Sequence, residues 1–214
     1  MTEYAQFCAL ARAAEVVGER WTLLIFRELY LGPKRYSDLL ERLEPIAPGV
    51  LNGRLKSLEA KGLIARREVA PPTPARLFEL TEGGRALEPA LFELLRWGAR
   101  YLFPQRQGER FEADWLRMVL LAYAKPGAAE SVTLALRVAE DTQGRTVWLQ
   151  GGPEGLRVEP HGEAADATIT GPVTALMGLM SGRLSVAEGI QRGTVQVEGD
   201  LDAAEAMERM FERR

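Results

Sequence analysis

Leu51, Leu55 and Leu58 recur at the spacing that stacks side chains on one face of a helix, so VLNGRLKSLEAKGLI, residues 50–64, predicts a helix with a single buried stripe. Its opposite side carries Gly49, Asn52, Gly53, Lys56, Ser57 and Ala60. A solvated helix would carry alternating Glu and Lys there; this side is small, polar and partly basic, shaped for something to come close. Upstream, Phe7, Leu10, Ala14, Val17 and Trp21 form another helical stripe, and Gly18 marks a stop before WTLLIFRELYLG, which is apolar on most sides and ends at Gly32-Pro33. A third, short helix spans 36–43. Pro48 fits the first position of the fourth helix, where its missing N–H is not needed. Ala47 is then a poor N-cap, so this end depends on neighbours or on a bound phosphate.

Gly62 closes the fourth helix, and residues 63–69 and 76–80 read as two arms of a hairpin. The prolines at 71, 72 and 74 cannot sit in a paired strand, which makes 70–75 a stiff protruding loop. Thr81 opens a long helix running to about Phe103, with Leu87, Leu91, Leu94 and Leu95 on one side. Four helices, a hairpin and a helix in that order are a winged helix-turn-helix plan, with 50–64 in the place of its recognition helix. The polar stretch 104–110 is the boundary. Beyond it come a helix from 112 to about 124 and strand candidates at 131–140, 145–150, 155–160 and 166–171. In the first of these, Leu134 and Leu136 alternate as one-face burial demands. A Met-rich helix at 172–181, a short helix at 185–193, a fifth strand at 194–199 and a closing helix from 202 to about 213 complete an α+β pattern. The expected organisation is a mainly α winged helix-turn-helix domain, 1–103, a linker, 104–111, and an α+β domain, 112–214.

Composition narrows the chemistry. No apolar run approaches the roughly 20 residues that cross a bilayer, and Glu3 stands where a secretory leader would be basic. These features predict a cytoplasmic chain with no membrane insertion. One cysteine excludes an internal disulfide and a Cys-rich metal site, and one histidine makes zinc catalysis improbable. No catalytic pair stands out, so neither an enzyme nor a cofactor is expected. The net charge of −3 divides unevenly: 15 basic against 13 acidic side chains give +2 in residues 1–103, and 12 against 17 give −5 in 104–214. Arg54, Lys56, Lys61, Arg66 and Arg67 form a cluster with only Glu59 opposed, and such a local patch is what a phosphate backbone would feel.

Residues 5–103 resemble the HxlR-type winged-helix transcriptional regulators through VVGERWTLLIFREL, KRYSDLL, LKSLEAKGLIARR and LFELTEGGRALEPALFELLRWG, in that order. The resemblance implies a homodimer whose first and last helices pack on the partner and whose two recognition helices enter successive major grooves of double-stranded DNA. It implies a repressor, sometimes an activator. Two positions depart from the family: Cys8-Ala9 stands for its Cys-Pro, and Pro45-Ile46-Ala47 for its Gly-Ile-Ser. Residues 112–211 resemble a sterol-carrier-protein-like domain through DATITGPVTALMGLMSGRLSVAEGIQRGTVQVEGD. That resemblance implies an apolar cavity for a fatty or sterol-like molecule.

On the recognition helix, Asn52, Lys56 and Ser57 are expected in the groove, with Gly49 and Gly53 permitting close backbone approach. Arg54 and Lys61 flank them as phosphate contacts. Arg35, Tyr36 and Ser37 begin the preceding helix, where a positive dipole end favours anions. In the wing, Arg76 could enter a minor groove and Arg67 hold phosphate. Each has a plainer alternative: a solvated helix face, a local ion pair for Arg35, solvated arginines in the wing. Cys8, one turn before Arg12, is either a thiolate sensor or a small buried hydrophobe. Leu176, Met177, Leu179, Met180, Leu184 and Ile190, facing Leu134, Leu136 and Trp148, either line a ligand pocket or pack a core. His161 reads as a surface loop residue. The expected function is a DNA-binding repressor modulated by an apolar small molecule or lipid. Its competitor is a lipid carrier whose N-terminal half serves dimerisation.

Overall fold

Among the described residues, the chain opens with helices and a small sheet in the order α1 (Ala9–Val17), α2 (Thr22–Tyr30), the two-residue β1 (Lys34–Arg35), α3 (Tyr36–Arg42), α4 (Pro48–Ala60), β2 (Ile64–Val69), β3 (Ala75–Leu80) and α5 (Glu82–Arg85). The computed structural model describes residues 4–69, 75–104, 106–109, 111–127, 130–141 and 143–212. It divides into two compact units, Met1–Leu91 and Phe92–Arg214. Helix α6 (Glu88–Gly98) begins in the first and ends in the second. The expected loop at 70–75 lies outside the described residues apart from Ala75.

In the first unit, α3 and α4 form the helix-turn-helix and β2–β3 the wing. The strands pair antiparallel from Ile64↔Leu80 to Val69↔Ala75, and β1 joins the outer side of β3 through Lys34↔Phe78 and Arg35↔Leu77. Sequence reading missed β1, since two residues carry no periodic signal. On α4, Leu51, Leu55 and Leu58 are buried as their spacing predicts. Burying three leucines at about 1.5–3 kcal/mol each outweighs two helical glycines at about 1 kcal/mol each, so tertiary packing holds this helix in shape.

Two expectations need correction here. The long helix from Thr81 to Phe103 is broken into α5, α6 and a 3₁₀ turn at Ala99–Tyr101. Thr81 Oγ1 accepts from the Gly84 amide at 3.1 Å, and Gly84 sits so close to Leu63 that a Cβ would lie 2.0 Å from its carbonyl oxygen. Pro89 then has no N–H to give the preceding turn, so the helix restarts. Helix α2 is also less apolar than its run of hydrophobic letters implies. Beside the buried Ile25, Phe26 and Leu29 it holds Glu28, which is 0% exposed. Arg27 Nη2 reaches one oxygen of Glu28 at 2.8 Å, and Arg42 Nε, from α3, reaches the other at 2.9 Å. A buried carboxylate is tolerable only with such partners.

The second unit contains α7 (Ala113–Tyr123), β4 (Thr133–Val138), β5 (Thr146–Gln150), β6 (Arg157–Glu159), β7 (Ala167–Gly171), α8 (Val173–Ser181), α9 (Val186–Gln191), β8 (Gln196–Gly199) and α10 (Leu201–Ala206). Its five strands are ordered β6-β5-β4-β7-β8, with β4 and β7 parallel and the other neighbours antiparallel, a mixed sheet of the expected α+β class. The one-face burial expected of β4 does not hold. Leu134, Ala135 and Leu136 are all buried, because β4 is the central strand of the sheet. The closing helix is shorter than expected: Asp200 caps α10, which gives way to a 3₁₀ turn at Met207–Arg209. At the start of α7, Arg145 ties the β4–β5 connection to the helix, reaching Asp141 and Glu112 each at 2.9 Å. The Arg145 hydrogen bond holds the Asp141 carboxyl below its ordinary range.

Candidate nucleic-acid interface

Helix α4 is positioned at three places. Its leucine face is buried. The Tyr36 hydroxyl, from the first turn of α3, donates to the Pro48 carbonyl at 2.9 Å and links the beginnings of the two helices. Past its C-terminal end, the Thr81 hydroxyl donates to the Gly62 carbonyl at 2.6 Å, joining helix and hairpin. What faces outward is Gly49, Val50, Asn52, Gly53, Lys56 and Ala60, all exposed. A Cβ built on Gly49 or Gly53 would meet nothing within 4 Å. The glycines therefore serve no packing purpose in the chain itself, while each lowers helix propensity.

The basic side chains divide into two groups. Arg54 turns inward to Glu19, Arg67 Nε meets Glu79 at 2.9 Å, and Arg76 meets Glu68 across the hairpin at 3.2 Å. Arg66 pairs with Glu59 at 2.9 Å and lies over the Phe78 ring. Lys56 and Asn52, by contrast, have no side-chain partner among the described residues. Lys61 is exposed and lies close enough to Glu15 to help hold that carboxyl below its usual range, after the Tyr4 amide and Arg12, which act more strongly. Ser57 is half-buried. At the start of α3, Arg35 is exposed and its backbone N–H donates to Asp38 at 2.9 Å, while the exposed Ser37 hydroxyl reaches the other Asp38 oxygen at 3.3 Å. Tyr36 is the departure here, since its hydroxyl proton is already given to Pro48.

Cys8 is exposed at the N-cap of α1, so the reading of it as a buried small hydrophobe fails. Arg12, the cation expected to favour its thiolate, is held by Glu15 at 3.0 Å. Along α1, Phe7 and Leu10 are exposed and Ala11 is buried. On and after α6, Leu94, Trp97, Tyr101, Leu102 and Phe103 are exposed too.

The expected pocket of the second unit is largely core. Leu134, Leu136, Leu176, Leu179 and Met180 belong to its buried cluster, and Leu184 packs against that cluster. Ile190 is exposed, and Trp148 lies flat against Gly162, where a Cβ would come within 2.4 Å of the indole. Met177, together with Met180 at the edge of the buried cluster, lines a cleft of about 530 Å³ whose other wall is the end of α6 and the turn after it. Sequence spacing cannot tell a core leucine from a pocket leucine, because both follow the same helical period. Arg100 and Arg183, which also line the cleft, were missed because each is isolated in the sequence.

The chain is similar in sequence to known proteins over each of its halves. Residues 16–106 match the model of the HxlR-like helix-turn-helix family, and residues 109–206 match that of the MDMPI C-terminal domain. The HTH-type transcriptional regulator YvaP of Bacillus subtilis is 36% identical over 94 residues, 44% of this chain and 86% of that protein. The HTH-type transcriptional regulator YodB of the same organism is 36% identical over 93 residues, 43% of this chain and 82% of YodB. The HTH-type transcriptional regulator Rv3095 of Mycobacterium tuberculosis is 40% identical over 100 residues, 47% of this chain and 62% of its own length. Among solved structures, the redox regulator HypR in its oxidized form aligns at 29% identity and a TM-score of 0.41, over 44% of this chain and 96% of HypR. With most of YvaP spanned at this identity, and the helices, wing and buried leucines in the matching order, the chain belongs to the HxlR-like helix-turn-helix family.

Proposed function

We propose that this helix-turn-helix transcriptional regulator is a homodimeric repressor that inserts α4 into the major groove and answers to a small molecule held by its C-terminal half. The observation that carries the first part is the outer face of α4. Asn52 and Lys56 are exposed and uncommitted among the described residues, and Gly49 and Gly53 leave the helix backbone open to close approach. Asn52 suits the two hydrogen-bonding edges of adenine and Lys56 suits guanine or phosphate; a good bidentate contact is worth about 1–3 kcal/mol of base discrimination. Arg35, Ser37 and Lys61 surround that face as backbone contacts, with Ser57 at its edge. Arg67 and Arg76 stay in the set, because breaking an exposed ion pair costs at most about 1 kcal/mol. Arg54 leaves it, held inward by Glu19. Tyr36 acts by orienting α4 through Pro48.

The exposed apolar residues at α1 and on α6 support dimerisation, since water-facing Phe7, Leu10 and Leu94 gain from cover. Residues 1–103 serve DNA binding and pairing, and residues 112–214 form the sterol-carrier-like ligand domain, joined by 104–111. The test is a titration of the purified chain on DNA from upstream of its own gene at several salt concentrations. Lys56→Ala should weaken binding and, where Lys56 meets phosphate, lower the log–log salt slope by about one. An isotherm identical to wild type removes Lys56 from the interface. Loss of transcription in vitro on adding the protein would support repression, and a rise would reverse its sign.

A further inference from the structure

We propose that the cleft between α6 and α8 is an effector site for an amphipathic organic acid, with an aromatic or aliphatic body on the cleft floor and a carboxylate held by Arg100 and Arg183. The inference rests on the ligand-responsive reading above and gives it a site and a ligand class. The cleft's volume of about 530 Å³ falls within the roughly 300–1,000 Å³ of small-molecule sites. Its apolar lining comes from Trp97, Phe103, Val119, Met177 and Met180. Trp97 and Phe103 are each at least half exposed, so a hydrocarbon body would remove apolar surface from water. Met177, outside the buried core cluster, adapts to the shape of what is bound, while Met180 forms part of the packed floor.

Charge decides the ligand's other end. Among the described residues, the charged side chains that line the cleft are Glu93, Arg96, Arg100 and Arg183. Arg96 is committed, pairing with Glu93 and donating Nε–H to the Ala122 carbonyl at the end of α7 at 2.6 Å. That pairing also neutralises the acid found in the lining among the described residues. Arg100 and Arg183 are exposed and have no ion-pair partner among the described residues. Two guanidiniums beside an apolar floor disfavour a cation and offer a neutral molecule only hydrogen bonds, without charge attraction. A carboxylate gains charge-assisted, two-pronged hydrogen bonds from such forks. The site also suits regulation, because Trp97 and Arg96 belong to α6, which begins in the first unit, and α6 is the helix proposed to pair subunits. A ligand touching α6 shifts the DNA-binding equilibrium to the extent that it prefers one arrangement of that helix.

The experiment is calorimetric titration of the full chain, without DNA, with 6-phenylhexanoate, 6-phenylhexan-1-ol and 6-phenylhexylamine. The acid is expected to bind at one site per chain at least tenfold more tightly than the alcohol, with the amine weakest. Arg100→Glu combined with Arg183→Glu should lower acid affinity at least tenfold and leave the alcohol unchanged; both positions are exposed, so the fold is not at risk. Equal affinity for acid and alcohol overturns the proposal, as does acid binding indifferent to the double substitution, or an absence of saturable heat. A double variant that becomes monomeric while still binding the acid as wild type does overturns it too, and assigns the cleft to a second copy of the chain. Gel shift of the ligand-free protein separates the two readings. DNA binding without acid binding sinks the effector site alone, whereas acid binding without DNA binding sinks the regulator reading and leaves the site standing.

Discussion

Arg42 and Lys56 sit on the two helices of one helix-turn-helix, yet their charges serve different ends. Arg42 reaches into the interior and, with Arg27, holds the fully buried Glu28. Lys56 stands in water with no side-chain partner among the described residues. The same contrast separates the glycines: Gly84 is pressed against the Leu63 carbonyl, and Gly53 faces empty space. A residue that the fold requires is recognisable by what it touches. One that a partner requires is recognisable by an expense to the fold that nothing in the chain recovers, as with a glycine in the middle of an exposed helix face.

Breaking the buried cluster should have the largest effect. Arg42→Met removes one of the cations that hold the buried Glu28 and should destabilise the protein by about 3–5 kcal/mol in urea unfolding. Replacing Glu28 by Leu in the same chain should restore part of that loss, because the buried charge is then gone. Gly53→Ala tests the outer face from the other direction. It should raise stability by about 0.5–1 kcal/mol while weakening DNA binding, an opposition that an idle surface position would not produce. Gly84→Ala, with its Cβ driven into a carbonyl, should instead lower stability.

Tyr36→Phe removes only the hydroxyl that ties α3 to α4. About 1 kcal/mol of stability should go with it. DNA affinity should fall a few-fold with the salt slope unchanged, whereas a phosphate contact would lower the slope. The smallest effect concerns pH. The Arg145 hydrogen bond holds the Asp141 carboxyl below its ordinary value, so it contributes stability that is present above that ordinary value and lost as pH falls through the lower, folded value. Thermal unfolding of wild type and Asp141→Asn should therefore differ most near neutrality and converge below about pH 4. Parallel curves down to pH 2 would show that the pair contributes nothing.

Periodicity and punctuation carried much of the architecture. The leucine stripe of α4, Pro48 at its first position and Gly62 beyond its end are local signals, and each appears in the structure where the sequence puts it. The failures share a cause. A buried Glu28 cannot be read from a run of apolar letters, because its partner Arg42 lies 14 positions away on another helix. The break between α5 and α6 follows from the contact of Gly84 with Leu63, which no periodic pattern records. Arg67 and Arg76, read as free cations of the wing, find Glu79 and Glu68 once the hairpin pairs.

The sequence by itself determined the element order, the buried face of α4 and the small, basic character of its other face, since these depend on neighbours within one or two helical turns. Only the tertiary structure decided which cations remain available, which leucines are core and where a cleft opens. Those outcomes depend on groups far apart in the chain, and a charge or an apolar surface has no fixed role until its surroundings either satisfy it or leave it to solvent.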